Sequence, residues 1–323
     1  MAAALAWMAA WSPAHAGPDI PRERIRRAFQ LPPVPFEGEL SFQAAGEKVS
    51  LFMISSGPRG VYRRDLMGPE GAARSVVGDG EREWIFDGTR RRVWIGTHQP
   101  AIVPAAALFQ PQTSDQLSLS TGSPVAGRPS SLIEVRSREG QLRQRIWIDE
   151  EHGVALRGEA FAPDGGLGWS WRFKRVSFGR RRAAESFEFR PSSAAIVSDR
   201  LQADDSQQRQ AVERTGLQPR KPKWLPSGYY LESVGVMAHG RKSIIHYRFS
   251  DGATMLSLFQ CPPRVRLKFG PKGGRRLRLS NGSATLSWSE SGPVLGWSDL
   301  GFKFVLVGRL DAEGLRRVAE SVQ

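Results

Sequence analysis

Short runs in which apolar and polar residues alternate constrain this chain more than any other feature. In Trp169–Lys174 the three aromatic side chains would point to one side of an extended strand, and the polar residues between them to the other. Similar runs recur along the chain and are separated by turn sequences such as Asp87-Gly88, which suit the positive φ angles of tight hairpins. The pattern predicts antiparallel sheets with one buried face.

The size and composition of the chain are those of a folded protein with more than one domain. Its 323 residues are enough for two domains of ordinary size. Hydrophobic residues make up 40% of the chain and charged residues 24%, which separates it from disordered proteins.

The chain is strongly basic, with 46 Lys and Arg against 32 Asp and Glu and a net charge of +14. Basic proteins bind nucleic acids, anionic membrane surfaces or acidic proteins. An alternative explanation is a genome that favours arginine codons, because only 8 of the cations are lysine. Local clustering of charge, rather than the total, must therefore support any functional interpretation.

The first residues resemble an export signal. Ala2–Trp11 is apolar and uncharged, Ser12-Pro13 breaks the run, and Ala14-His15-Ala16 suits signal peptidase before Gly17. Residues 1–16 are therefore predicted to be a signal peptide, and the mature chain to be soluble and periplasmic or otherwise extracytoplasmic. The usual basic residues are missing, so the true start lies upstream, or the run is instead a buried helix.

The pattern divides the remaining chain into a β domain over 17–190, a linker over 191–223 and an α+β domain over 224–323. A short helix is predicted at Asp19–Phe29, and Val103–Leu117 is predicted to interrupt the first sheet as one or two short helices. The linker is polar and rich in proline and charge. A final helix begins at Asp311, with apolar residues at helical spacing on one face.

No catalytic or metal-binding motif is present. Cys261 is the single cysteine, the five histidines form no HxxxH pair, and no G-x-S-x-G sequence occurs. Gly270–Gly274 does not fit a phosphate-binding loop. We therefore expect a protein that is not an enzyme and needs no cofactor or metal.

Five tryptophans lie on predicted strands of the first domain: Trp84, Trp94, Trp147, Trp169 and Trp171. They either fill the core or line an apolar groove that holds an acyl chain or a partner segment. The sequence does not distinguish these two alternatives.

Residues 264–278 form a basic segment without any acid, and its cations are Arg264, Arg266, Lys268, Lys272, Arg275, Arg276 and Arg278. The first three alternate with apolar residues, so they are expected to share one face of a strand. The segment is either a solvated edge strand that cations protect or a site for anions or an acidic partner. Nucleic acid is not an expected partner of an exported protein.

Short motifs in both predicted domains resemble those of a known family. In the second domain these are Trp224-Leu-Pro-Ser-Gly-Tyr229, Tyr247-Arg-Phe-Ser-Asp-Gly252 and the strand Phe304–Gly308 before the last helix. In the first domain the spacing matches at Val125–Arg128, Ile133–Val135, Ile146–Asp149 and Gly153–Leu156. Together they resemble the sigma-E regulatory protein family RseB/MucB over most of residues 36–322, although segment 264–278 is more basic than that family suggests.

The resemblance implies an α+β, mostly antiparallel fold: a half-open β-barrel similar to the lipoprotein carriers LolA and LolB, then a smaller antiparallel sheet with a C-terminal helix. It also implies binding to the periplasmic segment of a membrane anti-sigma factor, whose proteolysis in the envelope stress response would be modulated, with lipid or lipopolysaccharide as a signal. The alternative function is a periplasmic lipid or lipoprotein carrier of the LolA type.

Overall fold

The computed structural model describes residues 20–88, 92–98, 103, 111, 114–162, 164–180, 182–190, 196–202, 205–239, 242–251, 254–265, 274–289, 292–310 and 312–323. The predicted signal peptide lies outside these residues. Within them, two sheets dominate, and the fold is mostly antiparallel β with few helices, as predicted.

The larger sheet contains twelve described strands in the order β12-β6-β5-β4-β3-β2-β1-β11-β10-β9-β8-β7. Its strands are β1 (Phe36–Ala44), β2 (Ser50–Ser56), β3 (Tyr62–Gly68), β4 (Gly71–Gly78), β5 (Arg82–Asp87), β6 (Arg92–Thr97), β7 (Gln116–Thr121), β8 (Ser130–Arg136), β9 (Leu142–Asp149), β10 (Ala155–Phe161), β11 (Leu167–Phe178) and β12 (Ile196–Asp199). All pairs are antiparallel except β12 with β6. Among the described residues β12 and β7 do not pair with each other, so the sheet stays open.

The smaller sheet has the order β13-β14-β15-β19-β18-β17-β16. Its antiparallel strands are β13 (Tyr230–His239), β14 (Lys242–Ser250), β15 (Met255–Cys261), β16 (Arg275–Leu279), β17 (Gly282–Ser289), β18 (Gly292–Asp299) and β19 (Phe302–Gly308). Helix α3 (Ala312–Glu320) follows, and it buries Leu315, Val318 and Ala319, as its helical spacing predicts.

One apolar side of the larger sheet, which we call the inner face, carries most of the buried apolar residues of that sheet. Trp171 lies opposite Phe42 on this face, in the same row as the buried Ile146. Helix α1 (Ile20–Ala28) buries Ile25 and Ala28, and Phe29 after it meets the Trp171 ring edge-on at 6.1 Å. The predicted helix at Asp19–Phe29 is confirmed over the described residues.

Two local predictions differ from the structure. Leu117 belongs to β7 rather than to a helix, and most of the preceding segment lies outside the described residues. The predicted linker contains β12 and helix α2 (Asp205–Thr215). Helix α2 is polar because it buries little, with Ala211 as its buried residue, and it packs beside β13.

Candidate functional site

The segment Trp224–Tyr230, which contains the family-like motif, contacts the inner face of the larger sheet around Glu83. Glu83 on β5 is 0% exposed. Its carboxylate accepts hydrogen bonds from the Ser227 hydroxyl at 2.6 Å, the Gly228 N–H at 2.9 Å and the Tyr62 hydroxyl. We call Glu83, its partners and Trp224–Tyr230 the junction, because they connect the two sheets.

Arg200 is the ion-pair partner of Glu83. Its guanidinium donates to Glu83 Oε1 at 3.3 Å and to the carbonyl of Leu225 at 3.2 Å. Gly96, opposite Glu83 on β6, leaves the necessary space, because a Cβ there would lie 2.5 Å from Arg200 Cδ. A buried ion pair whose remaining atoms are hydrogen-bonded is costly to break from one side.

Burial raises the pKa of Tyr62 well above its usual value, and the neighbouring Glu83 carboxylate raises it further. Tyr62 is therefore a neutral hydrogen-bond donor at physiological pH. Because both of its oxygens accept hydrogen bonds, Glu83 connects the two sheets and offers no free oxygen for proton transfer to a substrate.

An aromatic stack extends the junction. The rings of Trp94 on β6 and Tyr230 lie 3.8 Å apart at 26°, and the Arg74 guanidinium lies 5.0 Å from the Tyr230 ring centre. Arg74 also donates to Asp87 at 2.9 Å. Since Trp94 is 1% exposed and Tyr230 0%, the start of β13 covers this part of the inner face.

Gly228 is required by two independent features of the junction. Its φ is +78°, and a Cβ on it would lie 2.1 Å from Arg64 Nη2. Arg64 is only 2% exposed, so its side chain has little room to move away. A residue without a Cβ is therefore needed where the motif meets β3.

We expect Gly228→Ala to destabilise the chain by about 2–5 kcal/mol, from left-handed backbone strain together with overpacking against Arg64. Gly216→Ala is the matched control, because its φ is +65° and a Cβ there meets nothing within 4 Å. The control should lose only about 1–2 kcal/mol. Chemical denaturation of both variants gives the comparison, and equal losses would contradict the close packing of Gly228 on Arg64.

The register separates the five tryptophans onto two faces. Trp94, Trp169 and Trp171 lie on the inner face, whereas Trp84 and Trp147 point to the outer face, and all but Trp84 are buried. Trp84 is half-buried and packs against Phe189, and Trp147 is covered by Arg157 at 4.1 Å. A single groove lined by all five is therefore excluded, because neighbouring strand residues face opposite sides. Their role in binding stays a prediction.

Only part of the basic segment is described. Arg275, Arg276 and Arg278 lie exposed on β16, an edge strand of the smaller sheet. Arg264 lies in a turn after β15, so the expected strand face shared by Arg264, Arg266 and Lys268 is wrong at its first residue. Arg266, Lys268 and Lys272 lie outside the described residues.

Three other features of the described residues were considered as sites: a cavity, the single cysteine and groups of metal-binding side chains. A cavity of about 520 Å³ lies beside α2 and is lined by polar residues with Val212 and Pro219, away from the tryptophans. Burial raises the pKa of the Cys261 thiol to about 11, which makes it a poor nucleophile. The described residues contain no group of three or more side chains suited to hold a metal ion. None of the described helices is both long and apolar enough for a membrane span.

Glu83 and Arg200 of the junction, and Arg64 beside Gly228, were not identified from the sequence. The aromatic residues in Glu83–Asp87 suggest that Trp84 and Phe86 form the buried face, but the structure buries Glu83, Ile85 and Asp87 more deeply. Two acids flanking a central isoleucine at alternate positions were the available signal for a polar contact on the inner face.

No family model matches the chain, and no curated protein matches it. Among solved structures it is similar to MucB, with 20% identity, 96% of this chain and 99% of that chain covered, and a TM-score of 0.45. It is also similar to the Pseudomonas aeruginosa MucA/MucB complex, with 19% identity, 94% and 97% coverage and a TM-score of 0.44. A LolA superfamily protein from Nitrosomonas europaea shows 10% identity, 52% and 97% coverage and a TM-score of 0.26. These likenesses are distant, and the first two name the family that the sequence motifs resemble.

Proposed function

We propose that this chain is a non-catalytic binding protein of the bacterial envelope that holds the extracytoplasmic segment of a membrane anti-sigma factor and so modulates its proteolysis. The sequence motifs that resemble the family support this proposal. The motif Trp224–Tyr229 supplies the contacts of the junction, so the residues that resemble the family are the ones that unite the two sheets.

The observation that favours an acidic partner is the concentration of unpaired charge on β16. Arg275, Arg276 and Arg278 are exposed, and none forms an ion pair with a described residue. Arg276 donates a long side-chain hydrogen bond to the Ser283 hydroxyl at 3.4 Å. Arginine suits both carboxylate and phosphate because its planar guanidinium makes paired hydrogen bonds. These three residues, with Arg264, Arg266, Lys268 and Lys272, would contact acidic residues of the partner or lipid phosphates.

The proposal is tested by recovering the partner from the native envelope. The tagged full chain is expected to recover a single-span membrane protein encoded near a sigma factor. Recovery of lipoproteins alone would contradict the proposal and support the carrier alternative, in which case lipid would be expected to copurify.

The basic edge is tested by charge reversal. Replacing Arg275, Arg276 and Arg278 by glutamate is expected to weaken binding of the recovered partner by about tenfold or more at low salt. The effect should shrink as salt rises, because screening shortens the range of these interactions. The matched control replaces three dispersed exposed arginines, Arg82, Arg172 and Arg214, by glutamate. Equal effects of the two triple variants would assign the result to net charge and remove β16 from the binding surface.

A further inference from the structure

Three of the four edge strands in the described sheets carry features that oppose pairing with another strand. Strand β16 carries three arginines, and β12 has only four residues. Strand β13 lies beside α2, whose Gln207 accepts the N–H of Val234 at 2.9 Å. Charge, shortness and coverage are the ways in which natural sheets protect their edges.

Strand β7 is longer than β12 and carries no charge, and helix α1, which lies beside it, leaves most of its residues exposed. Its sequence, Gln116-Leu-Ser-Leu-Ser-Thr121, contains no charged residue and no proline. All of its residues except Leu117 are exposed, and Leu119 is 42% exposed. An exposed, uncharged edge of six residues is a template on which another strand can pair.

The register shows which backbone groups of β7 are available. The Gly122 N–H donates to the Ser130 carbonyl at 2.8 Å, so in the antiparallel ladder Ser120, Ser118 and Gln116 also bond to β8. The N–H and C=O groups of Leu117, Leu119 and Thr121 therefore point away from the sheet. No described residue bonds to these outward groups.

The two faces beside β7 differ in polarity. Leu117 and Leu119 lie opposite Val135 and Ile133, so they continue the apolar inner face to the edge of the sheet. Ser118 and Ser120 point to the outer face. An added strand with alternating residues would place apolar side chains beside Leu119 and polar side chains on the other face.

Arginines surround both ends of β7. Arg22 donates to the Asp115 carbonyl at 2.6 Å, and Arg143 pairs with the Asp115 carboxylate at 3.2 Å, just before the strand. At the other end, Arg24 reaches the Ser131 hydroxyl, opposite Thr121, at 3.3 Å. Glu150 accepts from the Ser131 hydroxyl at 3.4 Å, so the three arginines lie beside two acids, Asp115 and Glu150. The remaining positive charge would attract an acidic strand more than a second copy of this chain, which brings the same cations.

We propose that β7 binds an extended segment of alternating apolar and acidic residues by adding it as a further strand of the larger sheet. The inference rests on the proposed function, because it specifies which kind of segment in the anti-sigma factor the chain would hold. Backbone hydrogen bonds to Leu117, Leu119 and Thr121 would provide most of the contact, and the arginines would select for acid.

The test uses the full chain and a synthetic peptide in which valine and glutamate alternate. The same peptide with lysine in place of glutamate is the charge control, and it should bind at least about tenfold more weakly at low salt. Leu119→Pro should reduce affinity for the acidic peptide by about tenfold or more, because proline removes an N–H that points outward. The fold should persist, since that N–H does not bond to β8. Ser120→Pro is the matched variant, and it should lower the thermal midpoint because its N–H bonds to β8.

A second measurement does not depend on any variant folding. One peptide is N-methylated at every valine and another at every glutamate, so each lacks the N–H groups along one edge only. One of these two peptides should lose binding, and the other should keep it. Equal binding of both methylated peptides, or no binding of the acidic peptide to the wild-type chain, would overturn the proposal. The partner recovered from the envelope separates this proposal from the proposed function. If it binds the Leu119→Pro variant as tightly as wild type, β7 is not the binding site of that partner, and the proposed function is unaffected. If the acidic peptide binds β7 but no anti-sigma factor is recovered, the proposed function alone fails.

Discussion

Replacing Glu83 with glutamine is expected to destabilise the chain by about 3–5 kcal/mol. The substitution leaves Arg200 buried at 4% exposure without its carboxylate, and it weakens acceptance from Ser227 and Gly228. Removing one member of a buried ion pair costs more free energy than removing an exposed pair, because water cannot solvate the charge that remains. Urea or guanidinium unfolding, monitored by tryptophan fluorescence, measures the loss.

Glu81→Gln is the matched control, two residues earlier on an exposed position. It makes the same chemical change and should alter the free energy of unfolding by no more than about 0.5 kcal/mol. If Glu83→Gln were as mild as Glu81→Gln, Glu83 would not connect the two sheets in the way the junction shows.

Trp94→Ala is the second change with a large expected effect, a loss of about 3–5 kcal/mol. Trp94 is 1% exposed and stacks on Tyr230 at 3.8 Å, so alanine leaves a cavity between the two units as well as removing apolar contacts. Calorimetric unfolding should show a lower midpoint. Because the stack joins a residue of the larger sheet to a residue of the smaller sheet, the two sheets should also unfold less cooperatively.

Trp84→Ala serves as the comparison, because Trp84 is half-buried on the outer face of the neighbouring strand. We expect its loss to stay below about 2 kcal/mol. Equal losses at positions 84 and 94 would mean that both tryptophans contribute alike to the core, contrary to the register of β5 and β6.

Regular periodicity predicted the parts of the fold in which burial is one-sided and extensive. Helix α3 places Leu315, Val318 and Ala319 against the sheet, as its spacing of three and four residues indicates. The alternation in β11 likewise predicted a strand with its aromatic residues on the inner face. In both elements the hydrophobic effect acts on one face, so the sequence shows it directly.

Elements at the margins were harder to predict. Strand β7 carries serine or threonine at three of its six positions and glutamine at another, because an edge strand needs little burial. Strand β16 is a basic run in which Leu277 and Leu279 are the apolar residues. Helix α2 depends on tertiary contacts, such as Gln207 with Val234, that sequence spacing does not reveal.

The junction could not be predicted because it joins residues far apart in the chain. Glu83 and Ser227 lie 144 positions apart, and nothing local to either indicates the contact. The motif Trp224–Tyr229 could be recognised from its resemblance to a family, but its role in contacting β5 and β6 needed the structure. For the same reason the tryptophans could be placed on strands, yet their division between two faces required the register.

The central claim is that the chain holds the extracytoplasmic segment of an anti-sigma factor, and a titration of that segment into the purified chain tests it most directly. Calorimetry should show saturable binding with a defined stoichiometry, and the bound segment should resist a protease that cleaves it when free. Binding should weaken in the β16 triple variant and remain in the dispersed-arginine control. Absence of measurable heat together with unchanged cleavage of the segment would contradict the account.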